Sequence, residues 1–205
     1  MQQPSVPATT SWRTIVFKNR GLLLVPIALV LIIFGRPTAL SAAIGIAVAA
    51  LGELLRIWAV GYSGVTTRAN VVTASTLVTA GPYSSTRNPL YIGNAFTALG
   101  FWIAFSGGVT VLQSALMFAL VAVFVVGVYA TIIPLEEAYL SETFGAPYRE
   151  YLARVPRILP FRGALAAAQR QGVWRADVIL KAEIITLVFF ALMTAAVIAK
   201  LRGWA

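Results

Sequence analysis

The chain has no cysteine, which excludes disulfides, thiolate nucleophiles and cysteine–metal sites. It has no histidine, which removes the commonest general base, pH switch and metal ligand. Charge is scarce. Asp, Glu, Lys and Arg make up 11% of the 205 residues, against about 25% in an ordinary soluble domain. Acidic residues are scarcest, 7 against 16 basic, for a net charge of +9. Any catalysis must therefore draw on carboxylates, Arg, Tyr, Asn, a bound cofactor or an already reactive substrate.

Apolar residues fill the space that charge leaves. They are 59% of the chain, and the mean hydropathy is +0.83. That argues against a soluble globular protein and against disorder, which needs low hydrophobicity and high net charge. The basic residues lie between long apolar runs, so an anionic membrane is the expected partner and nucleic acid is not. About 20 apolar residues cross a bilayer core as a helix. Runs at 15–34, 39–62, 90–105, 109–133 and 178–199 meet or approach that length. The expected fold is all-α, a polytopic membrane helix bundle of about five transmembrane helices. Short cytoplasmic helices lie between the last two. One domain covers 1–205, with 1–14 as a loose tail.

Basic residues orient the bundle. Arg13, Lys18, Arg20, Arg56, Arg68, Arg87, Arg149, Arg154, Arg157, Arg162, Arg170, Arg175 and Lys181 fall on one side of the five-span arrangement. Only Arg36, Lys200 and Arg202 fall on the other. The N-terminus and both long loops are expected in the cytoplasm and the C-terminus outside, with a bacterial inner membrane as the location. The first run also has the layout of a cleavable signal, with basic residues, an apolar stretch and small residues at 39–43.

The two cytoplasmic loops hold most of the chemistry. In the first, Gly81-Pro82 marks a turn, and Asn88 followed by Pro89 reads as a helix cap and first helical residue. Arg87 would then lie beside free helix N–H groups that favour an anion. The plainer reading is a capped helix with an arginine at the headgroups. In the second, Pro134 is expected to break the helix and place Glu136 and Glu137 in a new first turn. That pair is either a solvated acidic helix start or a pair of carboxylates facing a cationic ligand. Gly145 and Pro147 mark the next joint. Tyr148 and Tyr151 share one helix face, as interfacial anchors or as walls of a cofactor pocket. The stretch 154–163 is basic and proline-rich, in the manner of a lipid-contacting segment. Within the runs, Glu53, Arg56, Lys181 and Glu183 stand out as interfacial anchors, a structural ion pair or part of an acceptor site.

In order, the motifs are Gly-Pro-Tyr-x-x-x-Arg-Asn-Pro-x-Tyr-x-Gly from Gly81, Glu-Glu-x-x-Leu from Glu136, Phe-Gly-x-x-Tyr-x-x-Tyr from Phe144 and Arg-Val-Pro from Arg154. This series resembles the isoprenylcysteine carboxyl methyltransferase family and the phospholipid N-methyltransferases grouped with it. The resemblance implies S-adenosyl-L-methionine as cofactor, held in a cytoplasmic pocket to which the segment 134–176 contributes. It makes Leu77, Val78, Gly81 and Tyr83 pocket walls, and Arg87, Asn88, Pro89 and Tyr91 the cofactor motif. Glu136 and Glu137 would hold the cofactor from the other side, with Tyr148 and Tyr151 enclosing it. Arg154 would face the acceptor carboxylate, and with Glu137 would stand nearest the chemistry. The family often has His where this chain has Asn88. Asn keeps a hydrogen-bonding amide but cannot act as a base or carry charge, so the change bears on the acceptor more than on the cofactor. The implied partners are the bilayer and a lipophilic acceptor, of isoprenylcysteine type or else a lipid amine or thiol, with no nucleic acid and no metal. A nicotinamide-dependent enzyme of the sterol-reductase type and a non-enzymatic membrane subunit are the alternatives from other classes.

Overall fold

The computed structural model describes residues 12–19, 21–64, 76–160 and 163–204. The expected loose tail up to residue 11, Arg20, Arg68 and Arg162 lie outside the described residues. The elements are helices α1 (Trp12–Lys18), α2 (Val25–Phe34), α3 (Ala39–Ser63), α4 (Pro89–Ser106), α5 (Val111–Phe144), α6 (Ala146–Arg154) and α7 (Ile179–Leu201), with one-turn 3-10 helices between some of them. No strand occurs among the described residues. The fold is a helical membrane bundle.

Three helices, α3, α5 and α7, are long and apolar enough to cross a membrane. The 18 residues of α4 reach about 27 Å and pack along α3. The first apolar run departs from the single span expected at 15–34. It divides into α1, a 3-10 turn at Leu22–Leu24 and the 10-residue α2, which is about 15 Å long. Pro26 sits at the start of α2, where its missing N–H costs nothing but favours a new helix start.

Caps fix the helix starts at the end of the bundle formed by the 35–38 and 107–110 links. Thr38 and Ser41 exchange hydrogen bonds at the start of α3, and Thr110 and Gln113 do so at the start of α5. Such reciprocal caps contribute about 1 kcal/mol each. The contact of α3 with α4 runs over glycines. A Cβ at Gly45 would meet the Gly100 carbonyl oxygen at 2.4 Å, and one at Gly52 would meet that of Gly93 at 2.5 Å. Hydrogen at these positions lets the two backbones approach, which is how membrane helices gain packing energy without a hydrophobic drive.

Pro134 does not break the chain's longest helix. It lies exposed inside α5, which continues for ten further residues to Phe144. An interior proline costs about 3 kcal/mol. Contacts on both sides of it offset that cost: Ile132 and Ile133 before it and Glu137 after it are buried, and Glu136 and Glu137 are bonded to Tyr91 and Arg87. The glutamates thus sit near the C-terminal end of a helix and not in a first turn. They stay about two turns from its end, beyond the reach of the dipole.

Candidate functional site

At the other end of the bundle, the start of α4, the late turns of α5, α6 and the segment after it converge on Glu137. This carboxylate is 9% exposed. Arg87 approaches it with Nε at 3.0 Å and Nη2 at 3.0 Å from Oε1. Arg157 approaches from the other side, with Nε 3.2 Å from Oε1 and Nη2 2.5 Å from Oε2. Arg87 Nη1 also donates to the carbonyls of Leu152 at 2.8 Å and Val155 at 3.0 Å. These lie at the C-terminal end of α6, where a cation is favoured. One carboxylate therefore holds two guanidiniums, and charge-assisted forks of this kind are among the stronger hydrogen bonds.

The segment Thr86–Asn88 grips the same chain stretch through its backbone and side chains. Arg87 N donates to Pro156 O at 3.0 Å, and Thr86 Oγ1 to Arg157 O at 3.3 Å. Asn88 sits at the N-cap position of α4 but makes no side-chain cap. Its amide Nδ2 donates instead to Arg157 O at 3.0 Å. The expected cap is given up because the amide is buried against residue 157 and satisfies a carbonyl there. Pro89 does open α4.

Glu136 faces the neighbouring helix and accepts from the Tyr91 hydroxyl at 2.7 Å. The Tyr91 ring lies 4.6 Å from that of Tyr129. Tyr148 and Tyr151, 5.9 Å apart between ring centres, form an apolar cluster with Leu77, Leu140, Phe144 and Leu165. The Tyr151 hydroxyl donates to Tyr83 O at 2.7 Å. Burial pushes the hydroxyls of Tyr83, Tyr148 and Tyr151 well above the ordinary tyrosine range, and for Tyr148 the Glu137 charge adds to it. All three stay neutral at physiological pH.

The C-terminal loop folds back over these residues. Leu165 N donates to Ser84 O at 2.9 Å. Thr79 N and Ala80 N both donate to Gln171 O, at 2.9 and 3.0 Å. Val78 packs beside Gly172, and Trp174 lies on Gly61. Gly81 takes a positive φ of 60° under the Tyr62 ring, a position that L side chains avoid.

The structure brings Leu77, Val78, Gly81, Tyr83, Arg87, Asn88, Pro89, Tyr91, Glu136, Glu137, Tyr148 and Tyr151 into one region. It does not bring Arg154 to Glu137. Arg154 is exposed and pairs with Glu150 one turn earlier, at 2.7 Å. Arg157 holds Glu137, although the sequence marks it only as one cation of a basic stretch. The available signal is the surplus of arginine beyond α6 opposite a carboxylate that needs a partner.

Deeper in the bundle, Arg56 joins α3 to α7 and α4. Its Nη2 donates to both oxygens of Glu183, at 2.8 and 2.6 Å. Its Nη1 donates to Asn94 Oδ1, and its Nε lies 3.8 Å from Glu53 Oε2. Glu53, Arg56 and Glu183 are 4%, 8% and 0% exposed. Of the three roles weighed for these charges, the structure supports the ion pair. Lys181 is exposed.

The sequence pattern of a family described as phospholipid methyltransferase matches residues 40–147. The cobalt-zinc-cadmium resistance protein CzcN of Cupriavidus metallidurans is 30% identical over 135 residues, covering 66% of this chain and 53% of that protein. Protein-S-isoprenylcysteine O-methyltransferase B of Arabidopsis thaliana is 39% identical over 85 residues, 42% of this chain and 40% of that protein. The chain thus spans about half the length, or less, of these curated relatives. No solved structure matches. The family match runs through α3, α4 and α5 and takes in Arg56, Arg87 and Glu137, though not Arg157. Covering more than half of the chain and the helices that carry this contact, it shows that the chain belongs to the phospholipid methyltransferase family.

Proposed function

We propose that this protein is an integral-membrane methyltransferase that uses S-adenosyl-L-methionine and acts on a lipophilic acceptor carrying a carboxylate, of the isoprenylcysteine type. The observation that carries the reading is the double grip of Arg87 and Arg157 on Glu137. It ties the Arg87-Asn88-Pro89 motif, the end of α5 and the C-terminal loop into one charged cluster at the end of the bundle.

The donor set suits the cofactor. Arg87 spends Nε, Nη1 and Nη2 on protein acceptors, so it serves as a clamp. Arg157 has a side chain 51% exposed and retains capacity for the cofactor's carboxylate. Glu136, beside Tyr91, suits its ammonium or ribose hydroxyls. The cluster of Tyr148, Tyr151, Leu77 and Phe144 suits an aromatic ring system. When bound, the cofactor supplies an electrophilic methyl group on a sulfonium. An acceptor carboxylate is ionised at neutral pH and needs no base, which agrees with a chain lacking histidine. The protein's part is to orient the reacting groups and exclude water. The concentration of Arg149, Arg154, Arg157, Arg170 and Arg175 at the Glu137 end supports a cytoplasmic site in a bacterial inner membrane, with the C-terminus outside.

The test is calorimetric titration of the purified protein with S-adenosylhomocysteine, with a reduced nicotinamide nucleotide as control. Micromolar binding of the first alone is expected. Binding of the nucleotide alone would move the reading to a reductase. Binding of neither, in detergent and again in lipid, would overturn it.

A further inference from the structure

The charged side chains at the end of the bundle away from Glu137 are all basic. Arg36, in the link between α2 and α3, and Lys200, in the last turn of α7, line a single cleft of about 330 Å³ with Ile33, Gly35 and Pro37. Arg202 follows, its guanidinium 5.0 Å over the Trp204 ring. The chain's seven acidic residues are Glu53, Glu136, Glu137, Glu142, Glu150, Asp177 and Glu183, and none lies here. Glu53 is about 21 Å along α3 from its start at Ala39, and Glu183 about 25 Å along α7 from Lys200. Both are buried and face Arg56, far beyond contact range of Arg36 and Lys200.

The helix ends do not supply the missing negative charge. The carbonyl ends of α2, α4 and α7 and the N–H ends of α3 and α5 lie at this end. At about half a charge per helix end they sum to about −0.5, small against three cations.

The cleft is held by the backbone. Lys200 Nζ donates to Gly35 O at 3.0 Å. Arg36 N donates to Phe105 O at 2.7 Å, and Gly108 N donates to Arg36 O at 2.6 Å. Gly35 is packed so closely that a Cβ would meet Leu31 O at 2.4 Å and Phe105 Cβ at 2.6 Å. The Lys200 ammonium and the Arg36 backbone are thus fixed, which sets both cations on one concave surface. Ile33 lines it, and Phe34, Leu40, Leu201 and Trp204, near Gly35 and Lys200 in the chain, are exposed apolar side chains. A tryptophan and basic residues beside an apolar belt mark the headgroup level. An occupant must therefore offer an anionic oxygen cluster to the cations and hydrocarbon to the rim.

We propose that the Arg36–Lys200 cleft binds the phosphate of an anionic phospholipid in the leaflet at this end of the bundle. Guanidinium forks match phosphate oxygens, and the lysine adds a point charge. The acyl chains then lie against α2 and α7. This site is separate from the methyl-transfer reading and stands without it.

The experiment counts bound lipid by native mass spectrometry, and measures thermal unfolding, while dioleoyl phosphatidylglycerol is titrated into the detergent-purified protein. Dioleoyl phosphatidylcholine and inorganic phosphate are the controls. Phosphatidylglycerol should bind and raise the unfolding temperature where the controls do not. Arg36→Gln should weaken it about fivefold, and Arg36→Gln with Lys200→Gln about twenty-five-fold. Arg36→Gln removes an exposed side chain and keeps the Lys200–Gly35 contact, so it tests the site even where the double variant folds poorly. Equal retention of phosphatidylglycerol by wild type and Arg36→Gln would overturn the proposal. So would equal protection by inorganic phosphate, which would show a free-anion site.

Discussion

Replacing Arg56 with methionine would leave Glu53 and Glu183, 4% and 0% exposed, without their shared cation. Breaking a buried ion pair by removing one partner costs about 3–5 kcal/mol in soluble proteins, because the remaining charge has lost both water and its counterion. Within membranes single polar contacts measure smaller, about 0.6 kcal/mol on average, but Arg56→Met would remove the cation that faces two buried carboxylates. We therefore expect Arg56→Met to lose about 3 kcal/mol. Glu183→Gln should lose less, about 1–2 kcal/mol: its carbonyl still accepts from Nη2, and Arg56 keeps Asn94 and the nearby Glu53. The double variant Arg56→Met with Glu183→Met should be more stable than Arg56→Met alone, by about 1–2 kcal/mol, since it removes one of the two buried carboxylates that faced Arg56. Unfolding in detergent, followed by the fluorescence of Trp58, Trp102 and Trp174, gives the three values and their coupling. An Arg56→Met variant within about 0.5 kcal/mol of wild type, or losses that simply add in the double variant, would refute the view of Arg56 as the charge that joins α3 to α7.

Two further predictions concern the Glu137 end. Arg157→Ala should weaken S-adenosylhomocysteine binding about tenfold or more, at roughly 1.5–3 kcal/mol for a hydrogen bond to a charged group, and Arg87→Ala should weaken it too by releasing Glu137 and the end of α6, whereas Arg154→Ala, which removes only an exposed pair with Glu150, should bind as wild type in the same titration. If all three bind alike, the Glu137 cluster is not the cofactor's anchor. The second prediction is pH-dependent. Tyr83, Tyr148 and Tyr151 are raised above the ordinary value by burial, so the folded state holds their protons more tightly than the unfolded state does. The stability this gives is fully present below about pH 10 and is lost as pH rises beyond it. Tyrosinate absorbance should show these three ionising only together with unfolding, and a smooth titration of all 7 tyrosines near pH 10 in folded protein would contradict it.

Much of this arrangement is legible from local features of the chain. The apolar runs locate α3, α5 and α7, Pro89 opens α4, and Gly145, at a φ of 61°, separates α5 from α6. The types of residue that meet in the charged cluster are legible too, since a histidine-free, acid-poor chain offers few groups for such a site, and Arg87, Glu136 and Glu137 stand out among them. Local rules fail where a distant partner outweighs them. Pro134 reads as a break, yet contacts made by Ile132, Ile133 and Glu137 carry α5 through it. Asn88 reads as a cap, yet its amide turns to a carbonyl 69 residues away. Hydropathy shows that Arg56 and Glu183 lie in apolar runs but cannot show that they face each other across 127 residues. Nor does any motif separate Arg154, which stays at the surface, from Arg157, which reaches Glu137. Sequence by itself determined which segments leave water and which residue types are left for polar work, because both follow from side chains near in the chain. Only the tertiary structure decided which charge meets which, because a buried charge takes the partner that the packing of separate helices brings within reach.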